Sequence, residues 1–186
     1  DRPLLLALLA VATVGFASDP SITLTPSMAD ELGGGAKLVG TLSAVFGVGA
    51  AVGMVVLALM RGRMASARVS SIGLAGLAAG CGVLAVATGP VVALAGFALA
   101  GLGFGWAMTG LSTVVQERAP EELRGRIRAL WLVGFLGSRP IAAALLGGTA
   151  DAVSVQAAFA VAAALTLVVA LWCRPSNLLG PLPERA

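Results

Sequence analysis

Three observations predict an all-α membrane protein, a six-transmembrane-helix bundle. Residues 3–18, 38–60, 69–116 and 152–173 carry no Asp, Glu, Lys or Arg, and 129–150 is interrupted only by Arg139. Of 186 residues, 58% are hydrophobic and 11% charged, and mean hydropathy is +0.97, outside the balance of a soluble domain. The basic residues gather in the breaks between the apolar blocks.

A hydrocarbon core of about 30 Å is crossed by about 20 apolar helical residues, so 38–60 and 152–173 are each one span. The block 69–116 has 48 residues. At about 1.5 Å per residue that is far longer than one crossing, and Thr88, Gly89 and Pro90 mark the hairpin that divides it. The predicted spans are about 3–28, 38–60, 67–87, 91–116, 127–149 and 153–173, followed by a tail over 174–186.

The first span is the least regular. Arg2, the apolar run Leu4 to Phe16 and the small residues Ala17 and Ser18 also fit a secretory signal with its cleavage site. Two features favour the span: apolar character resumes at Ile22 to Met28, and loss of the segment would put the termini on opposite sides. Proline removes a donor and clashes with the preceding turn, so this helix should break near Asp19-Pro20 and again near Pro26. Asp30 to Lys37, containing Gly33, Gly34 and Gly35, reads as a flexible polar loop.

With six spans, Arg2, Arg61, Arg63, Arg68, Arg118, Arg124, Arg126, Arg128, Arg174 and Arg185 fall on one side and only Lys37 on the other. That asymmetry predicts that both termini are cytoplasmic. The formal charge of +3 therefore follows from topology. It does not indicate nucleic-acid binding, because the arginines are spread over short loops with no basic, aromatic-interleaved surface. With no His or Tyr, few groups remain for metal ligation or acid–base chemistry, and no cofactor is expected. Cys81 and Cys173 lie in or at the end of separate apolar segments and read as small buried fillers.

Gly49 and Gly53, Gly76 and Gly80, and Gly101 and Gly105 each form a G-x-x-x-G pair, which lets a neighbouring helix backbone come close. Gly101, Gly103, Gly105 and Gly110 place four glycines in ten residues, either for close packing or for a bend. Trp106 sits among them, too deep for an interfacial belt; a cavity-facing role and plain packing both fit. Thr109, Ser112, Thr113 and Gln116 follow at near-helical spacing, with hydroxyls able to bond back to the i−4 carbonyl.

Two charges remain inside the membrane, Asp19 and Arg139, at a cost of at least about 2.5 kcal/mol each. Asp19 lies about 16 residues up the first span and Arg139 about 12 up the fifth, a vertical offset of about 6 Å that an arginine can bridge between neighbouring helices. Three readings stand for them: a structural pair, a substrate or coupling site, or an Asp19 in the outer headgroup region. Paired, the carboxylate suits a lock or an anion-attracting site; unpaired, burial favours its proton-carrying form. Pro140 predicts a kink one turn earlier.

From Glu117 to Arg128, Pro120, Glu121 and Glu122 open a helical turn, and Arg124, Arg126 and Arg128 follow. This is an amphipathic linker with internal charge pairing, either a membrane-surface anchor or a latch.

The segment QERAPEELRGRIRALWLVGFLGSRPIAAALLGGTAD, residues 116–151, resembles the loop between the tenth and eleventh spans, and the eleventh span itself, of bacterial major facilitator superfamily transporters. GTLSAVFGVGAAVGMVVLALMRGRM, residues 40–64, is similar to their eighth span and its cytoplasmic turn. Siderophore-exporter-like and drug-efflux-like members look nearest. The resemblance implies the C-terminal six-helix half of a twelve-span protein, whose two bundles are related by a pseudo-two-fold axis. It places Asp19 on the seventh span, Trp106 and Thr109 on the tenth, and Arg139 on the eleventh as cavity candidates. Gly62 and Arg63 would be remnants of a gating-loop motif whose Asp is missing here, and Glu121, Glu122, Arg124, Gly125 and Arg126 make up the second gating-loop candidate. The implied function is export of small amphipathic or siderophore-like solutes by proton-driven antiport across a bacterial inner membrane. The implied partners are the bilayer, the solute, and an N-terminal half or second copy. A membrane-embedded enzyme and a non-transporting scaffold or assembly domain are the rival expectations.

Overall fold

The computed structural model describes residues 2–60 and 62–178. Arg61, Arg185 and the tail beyond Leu178 lie outside the described residues, so their predicted places do too. The chain forms α1 (Arg2–Ser18), α2 (Pro20–Thr23), α3 (Thr25–Glu31), α4 (Gly35–Leu59), α5 (Ser66–Ala85) and α6 (Pro90–Arg118). A 3-10 turn at Glu121–Leu123 leads into α7 (Arg124–Ala152), α8 (Val155–Trp172) and α9 (Pro175–Leu178). Six helical segments are long and apolar enough to cross a membrane, α1 with α2 counting as one, and no strand occurs among the described residues. The fold class is the one the charge-free blocks predict.

The breaks in the first span have a covalent cause. Pro20 has no N–H for the Phe16 carbonyl, which is met instead by a long contact of 3.4 Å from the Asp19 amide. The helix restarts at once, because the Asp19 carbonyl accepts from the Ile22 and Thr23 amides at 2.8 and 2.9 Å. A second interruption falls at Leu24, just before Pro26.

The polar loop is shorter than predicted. Asp30 and Glu31 end α3, Lys37 lies in the first turn of α4, and only Leu32 to Gly34 connect them. Gly33 and Gly35 hold φ of +69° and +53°, a region that favours glycine, and so reverse the chain within a few residues. α7 runs on past Pro140 as one helix, as the predicted span over 127–149 requires.

α6 is the centre of the bundle and packs on α4 and α5 through different glycines. Gly101 and Gly105 meet the α4 backbone at Phe46 and Ala50; a Cβ at Gly105 would stand 2.7 Å from the Ala50 carbonyl oxygen. Gly103 meets the α5 backbone at Gly76 and Leu77. The glycine cluster therefore serves close approach, and α6 remains a single helix through it. Beyond this seam, Phe97 of α6 and Phe159 of α8, both fully buried, meet edge to face at 6.3 Å.

Side-chain bonds tie the ends together. At one end the Ser66 hydroxyl donates to Glu117 Oε2 (2.8 Å), the Ser71 hydroxyl donates to the Cys173 carbonyl (2.6 Å), and Cys173 Sγ lies 3.7 Å from the Leu6 carbonyl oxygen. At the other, Gln156 Nε2 donates to Glu31 Oε2 at 2.8 Å. The first end carries the starts of α1, α5 and α7 and the finishes of α4, α6 and α8, and with them the described loop arginines. Coverage is uneven: 56% of the apolar stretch is buried in α1–α2 and in α5, but only 11% in α4 and in α7.

Candidate functional site: an intramembrane charge pair on an aromatic face

The break at Asp19 turns its side chain toward α7. Asp19 is 5% exposed, and its Oδ1 lies 3.9 Å from Arg139 Nε. Its Oδ2 accepts the Thr23 hydroxyl at 3.0 Å. α1 and α7 can meet here because Gly15, one turn below, leaves room for the Phe135 carbonyl and the Ser138 hydroxyl, which any Cβ would hit. Arg139 Nε is buried and makes no hydrogen bond among the described residues, so its contact with Asp19 is electrostatic. Partnering of charges inside the bundle is what a low-dielectric interior demands.

Arg139 also leads into an aromatic row. Its guanidinium carbon lies 5.5 Å from the Phe135 ring centroid, within the range of a cation–π contact. Phe135 stacks on Trp131 at 5.6 Å and 28°, and meets Phe104 of α6 at 6.3 Å; Phe104 in turn meets Phe46 of α4 at 5.6 Å. The row thus joins α4, α6 and α7, which include the two least covered helices, and the charge pair closes one end of it.

The other predicted cavity residues are placed differently. The Trp106 indole N–H donates to the Gly53 carbonyl at 2.8 Å, tying α6 to α4. The Thr109 hydroxyl donates to the Gly105 carbonyl of its own helix at 2.8 Å, as Thr113 does to Thr109 at 2.9 Å. Asp19 and Arg139 are brought together, whereas Trp106 and Thr109 sit a turn apart on α6 with their donors committed to backbone.

Among the gating-loop candidates, Gly62 has φ +81° in the turn after α4, with Arg63 exposed beside it. Glu121, Glu122, Arg124, Gly125 and Arg126 form the exposed corner into α7. Arg124 and Glu121 lie 3.5 Å apart with both side chains largely exposed, which makes the pair worth about 0–1 kcal/mol. Ser66 and Glu117 connect the two corners through their hydrogen bond.

Sequence reading missed Phe46, Phe104, Trp131 and Phe135. The last two, with Arg139, recur every four residues on α7 and form one helical stripe; that spacing was the available signal. Phe46 and Phe104 carried none, since a single Phe in an apolar span has no evident direction. The thiols behave as buried fillers: both are buried and free, and burial pushes the Cys173 thiol up to about 11.

A six-helix apolar bundle with an internal charge pair belongs to the class of polytopic membrane proteins. Residues 4–185 match the Major Facilitator Superfamily, and the chain belongs to that family. Its fold is similar to that of the peptide transporter POT in complex with sulfate, with a TM-score of 0.83, 18% identity, and coverage of 96% of this chain and 39% of that one. A mutant of that transporter in complex with alafosfalin gives a TM-score of 0.77 at 18% identity, over the same 96% and 39%. The chain thus spans about two fifths of the length of these solved relatives. No curated protein matches it.

Proposed function

We propose that residues 1–186 are the C-terminal six-helix half of a secondary active transporter that works by alternating access. The observation that carries this reading is the uneven coverage of the bundle. Only 11% of the apolar stretch of α4 and of α7 is buried, and α7 carries Arg139, paired with Asp19 of α1. An unmet face next to an intramembrane charge pair calls for a second bundle, and the cavity would lie between the two. That partner is an N-terminal half of the same protein or a second copy of this chain.

In this reading the arginine-bearing end is cytoplasmic, both termini included, and the membrane is a bacterial inner membrane. The solute is small and amphipathic, siderophore-like or drug-like, and it is exported in exchange for protons. Asp19 is the coupling residue. Protonation would cancel its attraction for Arg139, and because no hydrogen bond joins Nε to the carboxylate, the helices could part without breaking one. Trp106 and Thr109 remain cavity candidates. Gly62, Arg63, Glu121, Glu122, Arg124, Gly125 and Arg126 would act as the latch where the corners meet.

The test is flux through proteoliposomes holding the intact protein, driven by a pH gradient and read with a panel of amphipathic solutes. Asp19→Asn should abolish dependence on the gradient while leaving solute counterflow. Gradient-driven export at wild-type rate in that variant would refute the coupling role, and absence of any flux from correctly folded protein would favour a scaffold.

A further inference from the structure

Below the aromatic row, at the arginine-bearing end, α6 and α7 diverge from the Pro120 corner and leave a cavity of about 530 Å³. Ser112, Gln116 and Glu117 line it from α6, and Arg124, Arg128 and Trp131 from α7. The spacing of 124, 128 and 131 puts all three on one face of α7. The charge pair does not border this space, and of the latch residues only Arg124 does.

Its lining sets two guanidiniums, Arg124 and Arg128, against one carboxylate. That carboxylate, Glu117, keeps its charge but is directed to the Ser66 hydroxyl, whose hydrogen bond it accepts at 2.8 Å, and Arg124 is partly offset by Glu121 at 3.5 Å. Arg128 has no carboxylate within ion-pair distance among the described residues. The Ser112 hydroxyl accepts from Gln116 Nε2 at 2.9 Å and keeps its own proton for donation. The inner wall is the Trp131 ring, held by its stack on Phe135. The Trp131 indole N–H is buried and has no acceptor among the described residues, an arrangement that costs stability.

We infer that this cavity binds an amphipathic anion, a carboxylate, sulfonate or phosphate group carried on a flat apolar body. The anionic group sits between Arg128 and Arg124, where guanidinium groups can grip it with charge-assisted hydrogen bonds. The flat body lies against Trp131. Calling the site the solute's point of entry rests on the transport reading above; the binding itself does not.

The experiment is calorimetric titration of the intact protein in phosphatidylcholine nanodiscs. The probes are naphthalenesulfonate and, as a cation of equal size, naphthylmethylammonium. The sulfonate should bind at least about tenfold more tightly than the cation, and Arg128→Gln should raise its Kd by about tenfold, the usual loss for one charge-assisted contact. Arg128→Lys should recover part of that loss, and Trp131→Leu should weaken naphthalenesulfonate far more than methanesulfonate. Arg128 is exposed, so its variants will fold. Equal affinity for the two naphthyl probes, or indifference to Arg128→Gln, overturns the proposal. So does abolition of sulfonate binding in phosphatidylglycerol nanodiscs, which would assign the site to lipid headgroups. Solute counterflow measured in parallel separates the two ideas: flux without Arg128-dependent binding retires this site alone, and binding without flux retires the transport reading alone.

Discussion

Replacing Arg139 by Gln should destabilise the bundle more than replacing Asp19 by Asn, and the two changes together should cost less than Arg139→Gln alone. At 3.9 Å and an effective dielectric constant of about 20, the attraction is about 4 kcal/mol. Desolvation of both groups offsets much of this, and Arg139 is still 29% exposed on its side chain, so a net coupling of about 1–2 kcal/mol remains. Arg139→Gln leaves the buried Asp19 carboxylate with Thr23 as its hydrogen-bond donor, at a cost of about 3 kcal/mol. Asp19→Asn leaves a cation that keeps its Phe135 contact at 5.5 Å and costs about 1 kcal/mol. The assay is a double-mutant cycle, with unfolding followed by tryptophan fluorescence in mixed detergent–SDS micelles. Additive effects, with a coupling term under about 0.3 kcal/mol, would show that the pair is not energetically linked.

Two further outcomes follow from packing and burial. Gly103→Leu should prevent a monodisperse folded species on gel filtration in detergent, because its Cβ alone already meets the α5 backbone at Leu77, whereas Gly82→Ala, with open space around it, should elute as wild type. Cys173 should resist N-ethylmaleimide at pH 8 until the protein is unfolded in SDS, since a thiol pushed up to about 11 is only about one part in a thousand thiolate. The same raised value means that the folded state holds its proton longer than the unfolded chain. Stability should therefore fall as pH rises from the ordinary thiol value near 9.0 through about 11, and Cys173→Ser should reduce that slope.

Several local features could be read without the fold. Pro20 and Pro26 dictate the interruptions around Asp19 and Leu24, because a missing N–H breaks a helix wherever the helix lies. Thr109 and Thr113 bond back to their own helix as hydroxyls at those positions commonly do. The gating corner pairs Glu121 with Arg124 within one turn. In contrast, Trp106 and Trp131 look alike in the sequence, yet one indole N–H meets the Gly53 carbonyl and the other meets no acceptor among the described residues. That difference depends on which helix stands opposite each ring.

The sequence by itself determined that six helices cross lipid and that the described loop arginines gather at one end, since the cost of placing a charge or an unpaired backbone group in hydrocarbon is levied residue by residue. Only the tertiary structure decided the rest: that Asp19 and Arg139 meet, that Gly105 faces α4 while Gly103 faces α5, and that four aromatic rings form a row across three helices. Lipid favours apolar surface on every side of a helix and so leaves its rotation about its own axis undetermined. Close contact between backbones and the need to partner buried charge select that rotation, and both are properties of neighbours distant in the chain.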